Sequence, residues 1–532
     1  MTHRHPRRRL PAGVLAVALS LTPAASARAG EMFVNPVYKG QDPYITRADD
    51  GYYYSASERS PKTTGIFVYK SRSLMDRGTR RLVYSAPTTG KFTSEYWAPE
   101  IHCIDGQWYI YTCADDGHNA NHRAIVLKAD TDDPQGAYHF AAELMTPGWA
   151  IDASVFRGAN GKLYCVWSGW PDGPAPDSTQ HLFISEMKSP TQLTGPAIDI
   201  SGEMRDWERV SRPGGLLEGP QPIVRNGKTF IIYSASGSWT ADYCLGLLTL
   251  AGDDPLDAAA WRKRDTPLFR RKGNVYGPGH CCLTTSPDGT EDWLVYHSSL
   301  DAGGSWNRGV SMKPITWNQD GSPNLGEPPQ WGEAIAAPSG EPAPEANVMR
   351  ADDFASDDAW RLFGGVRSSD DAQNQDGYRL RAGADPRIGD KALLRGCAYT
   401  DFTMRLRVRN EARKSRAGLL FRVSEPAMGV NRFKGYAAML GAGGKLELLK
   451  CDGEECKRIA QAVVHTQRGK WSTMRVSCLG PHIRVYVDDM ERPMIDTSDA
   501  TYTTGSVGVR GVNGDVAFDD FLIEPYSPAR RR

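Results

Sequence analysis

One positional pattern recurs five times before residue 300 and constrains the fold more than any other feature of the chain. A residue at the head of a run of β-formers stands nine positions before a glycine, and a second run of β-formers follows. Asp42 stands in that relation to Gly51 and Tyr52-Tyr53-Tyr54, and Trp97 to Gly106 and Gln107-Trp108-Tyr109-Ile110-Tyr111. Asp152 does so to Gly161 and Lys162-Leu163-Tyr164-Cys165-Val166-Trp167, and Glu218 to Gly227 and Lys228-Thr229-Phe230-Ile231-Ile232-Tyr233. His280 does so to Gly289 and Asp292-Trp293-Leu294-Val295-Tyr296. The five slots lie 55, 55, 66 and 62 residues apart. Units of that size, made of a few short strands, cannot bury their own faces and must stack radially. Runs such as Ile66-Phe67-Val68-Tyr69, Ala124-Ile125-Val126-Leu127 and Leu182-Phe183-Ile184-Ser185 supply the outer strands. The fold expected over residues 30–336 is therefore an all-β, five-bladed β-propeller. Its innermost strands ring the axis, so Asp42, Trp97, Asp152, Glu218 and His280 are expected to surround one central pocket.

Texture changes after that region. Residues 337–347 are rich in proline, including Pro338, Pro342 and Pro344, and read as a semi-rigid linker. Beyond it, alternating runs such as Phe402-Thr403-Met404-Arg405-Leu406-Arg407-Val408 and His482-Ile483-Arg484-Val485-Tyr486-Val487 recur with closely spaced turns. Period-two alternation over many short strands predicts a β-sandwich across residues 348–532.

The first 29 residues carry a basic run (Arg4, Arg7-Arg8-Arg9), an apolar stretch from Val14 to Leu21, and Ala27-Arg28-Ala29 before Gly30. That order is a secretory signal peptide, too short for a membrane span. The mature protein is expected to be exported, extracellular or periplasmic, without a membrane anchor. A formal net charge of zero argues against nucleic acid as a partner. Export permits disulfides among the 10 cysteines. Cys451 and Cys456 are close enough to close a small loop, whereas adjacent Cys281 and Cys282 read as buried thiols. Zinc is a poor reading, because no Cys-x-x-Cys pair or histidine partner has ligand spacing.

Three carboxylates and an imidazole around one pocket are costly to assemble unless they act together. Like charges held close raise one another's proton affinity, so one acid stays protonated near neutrality. Glycosidic cleavage requires an acid to protonate the leaving oxygen and a base to activate water. The competing reading, that each acid caps a turn beside Pro or Gly, explains one such acid more easily than three in register.

Asp42-Pro43-Tyr44-Ile45, Trp97-Ala98-Pro99-Glu100-Ile101, Ile151-Asp152-Ala153-Ser154-Val155-Phe156, Glu218-Gly219-Pro220-Gln221 and Tyr276-Gly277-Pro278-Gly279-His280 together resemble the motifs of glycoside hydrolase family 43. The resemblance covers the first 335 residues and implies an inverting glycosidase that needs no redox cofactor. It implies Asp42 as general base, Glu218 as general acid, and Asp152 as the residue that tunes and orients that acid. It implies a sugar-facing wall at Trp97, where plain core packing is the alternative, and a substrate-binding role for Arg308. His280 resembles an axial histidine beside a bound calcium or water cluster; Cys281-Cys282 depart from the small polar residues usual after it, and thiols are poor neighbours for a hard cation. Glu100 and His102 are expected along the pocket wall, and Trp170 and Trp239 in either core or subsite. The C-terminal sandwich resembles concanavalin-like, laminin-G-type modules, which bind carbohydrate or brace their neighbour. The substrate class implied is an arabinose- or xylose-containing plant polysaccharide. Among activities, α-L-arabinofuranosidase fits best, ahead of β-xylosidase, a galactose-releasing enzyme, and a non-catalytic sugar-binding propeller.

Overall fold

A computed structural model of the chain describes residues 31–57, 65–171, 179–364, 367–370, 378–382 and 389–526. The expected signal peptide lies outside them. Helix among these residues is limited to single turns at Asn119–Asn121, Asp206–Glu208 and Ala258–Ala260.

Five four-stranded antiparallel sheets form the blades of the N-terminal half. Their innermost strands are Gln41–Ala48, Ser94–Ile104, Ala150–Arg157, Leu217–Arg225 and Tyr276–Thr285, in blades 1 to 5. Blade 5 takes its outermost strand from the other end of the chain: Tyr38–Lys39 pairs with Arg308–Pro314, with Tyr38 opposite Val310. Next to it, Met32–Val34 pairs with Ala334–Ala336. The ring is thus closed by hydrogen bonds between its two ends.

The second strand of each blade is apolar on both faces because a blade is covered on both sides. In Gln107–Asp115, Trp108 and Ile110 pack toward blade 1, whereas Tyr109 and Tyr111 pack toward blade 3. In Leu163–Gly169, Cys165 and Trp167 face blade 2 while Tyr164 and Val166 face blade 4. Lys228–Ala235 repeats the division, with Ile231 and Tyr233 on one side and Phe230 and Ile232 on the other. The adjacent thiols follow the same rule. Cys281 enters the cluster between blades 4 and 5, and Cys282 the cluster between blades 5 and 1, both free and buried.

The C-terminal half is a sandwich of an eight-stranded and a seven-stranded sheet. Phe402–Asn410 lies between Val516–Pro525 and Trp471–Leu479 in the first, and Arg416–Ser424 between Ser506–Val512 and Lys434–Gly441 in the second. Trp360, Phe402, Phe421, Tyr436, Phe518 and Phe521 fill the space between them. Cys451 and Cys456 form a disulfide across the turn between two strands.

The proline-rich stretch is less free than its composition suggests. Glu345–Ala346 runs parallel to Cys397–Ala398, and the half-buried Glu341 carboxyl accepts the Leu74 N–H at 2.7 Å. Arg81 pairs with Asp358 at 2.9 Å, Arg395 pairs with Asp76, and Leu300 packs on an apolar cluster of the seven-stranded sheet. These contacts dock the sandwich beside the seam where the ring closes.

Trp293 is the largest side chain in the apolar layer between blades 5 and 1 and is 1% exposed. Trp293→Ala is expected to destabilise the propeller by about 3–5 kcal/mol, read as a lower urea midpoint of its unfolding transition.

Candidate active site

Every innermost strand breaks register where its slot residue sits. The ladder shifts between Gln41 and Tyr44, on both sides of Trp97, between Ile151 and Ser154, between Glu218 and Gln221, and on both sides of Gly279. A β-bulge inserts a residue, turns the strand and re-aims its side chain. Asp42, Asp152 and His280 themselves adopt positive φ, at 49°, 56° and 40°. In blades 2 and 4 the left-handed residue is the next one, Ala98 at 43° and Gly219 at 54°. Glycine is favoured at 219, because a Cβ there would stand 3.1 Å from the His280 ring and 3.2 Å from Ser234 Oγ.

A bulge leaves a backbone N–H without a ladder partner, and a buried one must be satisfied elsewhere. The preceding blade provides the acceptor. Ser57 Oγ accepts from Ala98 N at 2.6 Å, Asp152 Oδ2 from Gly219 N at 2.9 Å, and Ser234 Oγ from His280 N at 2.7 Å. His297 Nδ1 accepts from Asp42 N at 2.9 Å. This last bond spans the closed seam and fixes the tautomer, since an accepting Nδ1 leaves the proton on Nε2. Burial, then the charges of Arg308 and His280, push the His297 pKa well below its ordinary value, so it is neutral.

Asp42, Trp97, Asp152, Glu218 and His280 all line one cavity of ≈ 340 Å³, together with Arg308, Trp170 and Trp239. Asp42 Oδ1 lies 3.4 Å from Arg308 Nη1 and 3.4 Å from His280 Nδ1. Arg308 is held by its other nitrogen, Nη2, which donates to the Ser238 carbonyl at 2.6 Å. Glu218 Oε1 accepts from the Tyr243 hydroxyl at 2.8 Å. Burial raises the Glu218 pKa, opposed by the Tyr243 bond and the charges of His280 and Arg308. Burial likewise pushes Asp152 up to about 7, with His280 opposing and Glu218 and Asp42 adding to the rise. Burial alone would favour neutral His280, but Asp42, Asp152, Glu100 and Glu218 reverse the sign and its pKa ends above the ordinary value. Burial therefore favours the protonated forms of Glu218 and Asp152, beside a histidine drawn toward its cation.

Trp97 is half-buried: its ring centroid lies 4.0 Å from that of His122, and its Nε1 donates to Glu95 at 2.8 Å. It meets both readings, lining the cavity on one side and packing on the other. Trp170 stacks on Trp149 at 4.4 Å and 7°, and Trp239 meets Trp306 edge-on at 6.1 Å. Glu100 and His102 depart from expectation. They are buried three and five positions past the slot residue Trp97, paired with each other at 2.9 Å, with His102 3.3 Å from the Tyr44 hydroxyl. Neither is among the residues that line the cavity: strand alternation sets them on the opposite face from Ile101, which enters the packing between blades 1 and 2.

His297 and Tyr243 escaped the slot pattern because they lie off the innermost strands. A signal for His297 does exist in the second strands. Tyr54-Ser55, Tyr111-Thr112, Trp167-Ser168 and Tyr233-Ser234 put a small hydroxyl after an aromatic, where Tyr296-His297 puts an imidazole.

The calcium implied for His280 meets an unsuitable donor set. A ligating imidazole must be neutral, whereas the surrounding acids hold His280 toward imidazolium. Among the described residues, no group of three or more His, Cys, Asp or Glu side chains is arranged to hold a metal ion. The described side chains do not form a direct calcium cage; the expected contact of His280 with a cation runs through water and is not part of the reaction steps proposed for the site.

Comparison with known proteins follows the division into halves. Residues 33–323 match the family model for glycosyl hydrolases family 43. Residues 355–524 match that of the 3-keto-alpha-glucoside-1,2-lyase-like domain. An extracellular exo-alpha-(1->5)-L-arabinofuranosidase of Streptomyces avermitilis is 35% identical over 328 residues, 58% of this chain and 66% of that protein. An enzyme of the same description from Streptomyces chartreusis is 35% identical over 277 residues, 50% of this chain and 82% of its own length. The crystal structure of an alpha-L-arabinofuranosidase from Lactobacillus brevis superposes with a TM-score of 0.51 at 33% identity, covering 56% of this chain and 98% of that one.

Gly219→Ala is expected to destabilise the protein by about 1–2 kcal/mol from its left-handed backbone alone. The crowding at His280 adds to that. A lower melting midpoint, with activity falling out of proportion to it, is the expected record.

Proposed function

The chain belongs to family 43 of the glycosyl hydrolases, and on that premise we propose that it is an exo-acting α-L-arabinofuranosidase that inverts the anomeric centre. The observation that carries the reading is the single cavity in which Asp42 and Glu218 are each anchored by different partners. Asp42 is held by Arg308, His280 and His297, and Glu218 by Tyr243.

Glu218 acts as general acid. Burial keeps its carboxyl proton to higher pH than an ordinary glutamate, and that proton passes to the glycosidic oxygen as the bond to C1 breaks. Asp42 acts as general base, taking a proton from the water that attacks C1 on the opposite face. The product sugar leaves with inverted configuration and the remaining glycan leaves as an alcohol. A water between base and sugar requires carboxyls roughly 6.5–9.5 Å apart. Asp152 is a positioning residue: it fixes the peptide N–H that follows Glu218, and the two acids repel each other's charge. The arginine fork at Arg308 suits a sugar hydroxyl pair beside Asp42.

Indole walls at Trp97, Trp149, Trp170 and Trp239 suit the apolar face of a sugar ring. The names of the relatives favour arabinofuranose over xylose or galactose. The Streptomyces relatives are named extracellular; together with the basic and apolar N-terminus, this supports export of the present chain. Among the described residues no helix is long and apolar enough to cross a membrane.

A panel of nitrophenyl α-L-arabinofuranoside, β-D-xyloside and galactosides tests the substrate. Highest kcat/KM is expected on the arabinofuranoside; a preference for either rival sugar, or no turnover on any, overturns the reading. Glu218→Gln and Asp42→Asn are each expected to lower kcat by at least about 10²-fold. Tyr243→Phe tests the acid's environment with a defined sign. The Tyr243 hydroxyl favours ionised Glu218, so its loss raises the Glu218 pKa further. The alkaline limb of the kcat–pH profile, where the required proton is lost, should then move to higher pH.

A further inference from the structure

A second cavity, of ≈ 220 Å³, lies where the sandwich meets the ring seam, and it shares Gln41, Trp306 and Arg308 with the catalytic cavity. Gln41 adjoins the proposed base, and Arg308 touches that base directly. The sandwich supplies the far wall, with Asp357, Asp358, Trp360, Arg361, Leu362 and Arg395. The two cavities thus adjoin at Gln41, Trp306 and Arg308, within the length of a short glycan.

The lining of this cleft is cationic in a chain with no net charge. Six Lys and Arg side chains face three carboxylates. Two of those carboxylates are already taken up in contacts between the halves, Asp76 by Arg395 and Asp358 by Arg81. Arg77 is laid over the rings of Tyr38 and Tyr69, at 4.5 and 4.2 Å. Arg361 differs. Its guanidinium carbon lies 5.0 Å from the Phe363 ring centroid, and its Nε and Nη2, shielded from solvent, have no hydrogen-bond partner among the described residues. A buried donor without an acceptor is unfavourable by about 1–3 kcal/mol, more when charged. Such a group is a feature to be explained by a ligand, and the planar fork of a guanidinium matches a carboxylate.

We propose that the cleft between propeller and sandwich binds the leaving-group side of the substrate, and that Arg361 there recognises the carboxylate of a uronic acid on that glycan. The proposal rests on the glycosidase reading of the first cavity and gives the sandwich a share in substrate choice. Arg361 would turn its fork into the cleft to receive the carboxylate on Nε and Nη2, which are shielded in the observed position, and Trp306 would offer a half-exposed indole to the sugar between the two cavities. The acidic sugar remains part of the released glycan.

Binding, measured apart from turnover, separates this proposal from that reading. Xylotriose bearing one glucuronic acid, and the same oligosaccharide with its carboxyl reduced to the alcohol, are titrated calorimetrically into the full chain. A charge-assisted bond contributes about 1.5–3 kcal/mol, roughly 10–100-fold in Kd. The acid form should bind at least tenfold more tightly than the reduced form, and Arg361→Gln should abolish the difference. Raising NaCl from about 0.05 to 0.5 M should weaken binding of the acid form and spare the reduced form; this arm uses the unaltered protein and does not depend on the variant folding. Equal affinity for the two forms, or a preference that survives Arg361→Gln in a variant of normal melting midpoint, overturns the proposal. The glycosidase reading stands or falls separately, on turnover of the nitrophenyl glycosides.

Discussion

Closure of the ring by the chain's own ends is the constraint on which the site depends. Tyr38–Lys39 completes blade 5, so the next innermost strand begins beside residues that are remote in sequence. Asp42 meets His297 and Arg308 across separations of 255 and 266 residues. Neither contact would form in an open stack of blades. The bulge at Asp42 makes the dependence explicit, because its backbone N–H has its acceptor on the far side of the seam. The same device recurs around the axis with Ser57, Asp152 and Ser234 as acceptors. Only at the closing position is the acceptor an imidazole, which is buried and neutral. A blade-to-blade hydrogen bond that serves folding elsewhere thus also positions a carboxylate here.

Electrostatics at the axis follow from burial and crowding. Asp42, Asp152 and Glu218 crowd together beside His280 and Arg308 inside one cavity, where solvent is too scarce to hold all the carboxylate charge. The balance is met by protonation: Glu218 and Asp152 are raised, Asp152 to about 7, while His280 is drawn toward its cation. An acid that keeps its proton near neutrality is what leaving-group protonation requires. Asp152 does double duty, because its Oδ2 also holds the Gly219 peptide and with it the path of the strand at Glu218.

Much of this was legible in sequence, and for physical reasons. A slot at the head of an inner strand followed by glycine at the hairpin recurs because every blade must turn at the same radius. Both-sided apolar runs such as Trp108-Tyr109-Ile110-Tyr111 reveal strands covered on both faces. The nine-residue count succeeds although its hairpins differ: Asp105-Gly106 is a two-residue turn, whereas residues 158–162 form a longer loop. What sequence could not place are contacts made through closure or through outer strands, as with Tyr243 beside Glu218. Glu100 misled because proximity along a strand does not give direction; alternation puts it on the face of His102, with which it pairs. Composition alone made residues 337–347 a linker, while Glu341 and Glu345–Ala346 are tied into the two halves.

The sandwich is braced on the seam by Arg81–Asp358, Arg395–Asp76 and Leu300 rather than tethered at a distance. Its position beside Arg308 makes it part of the surroundings of the site. In the proposed reaction Asp42 and Glu218 act as separate base and acid in a single displacement. Proton NMR of the sugar first released from an α-L-arabinofuranoside distinguishes that displacement from a double one. The β anomer is expected first, followed by mutarotation; initial appearance of the α anomer would contradict a single displacement.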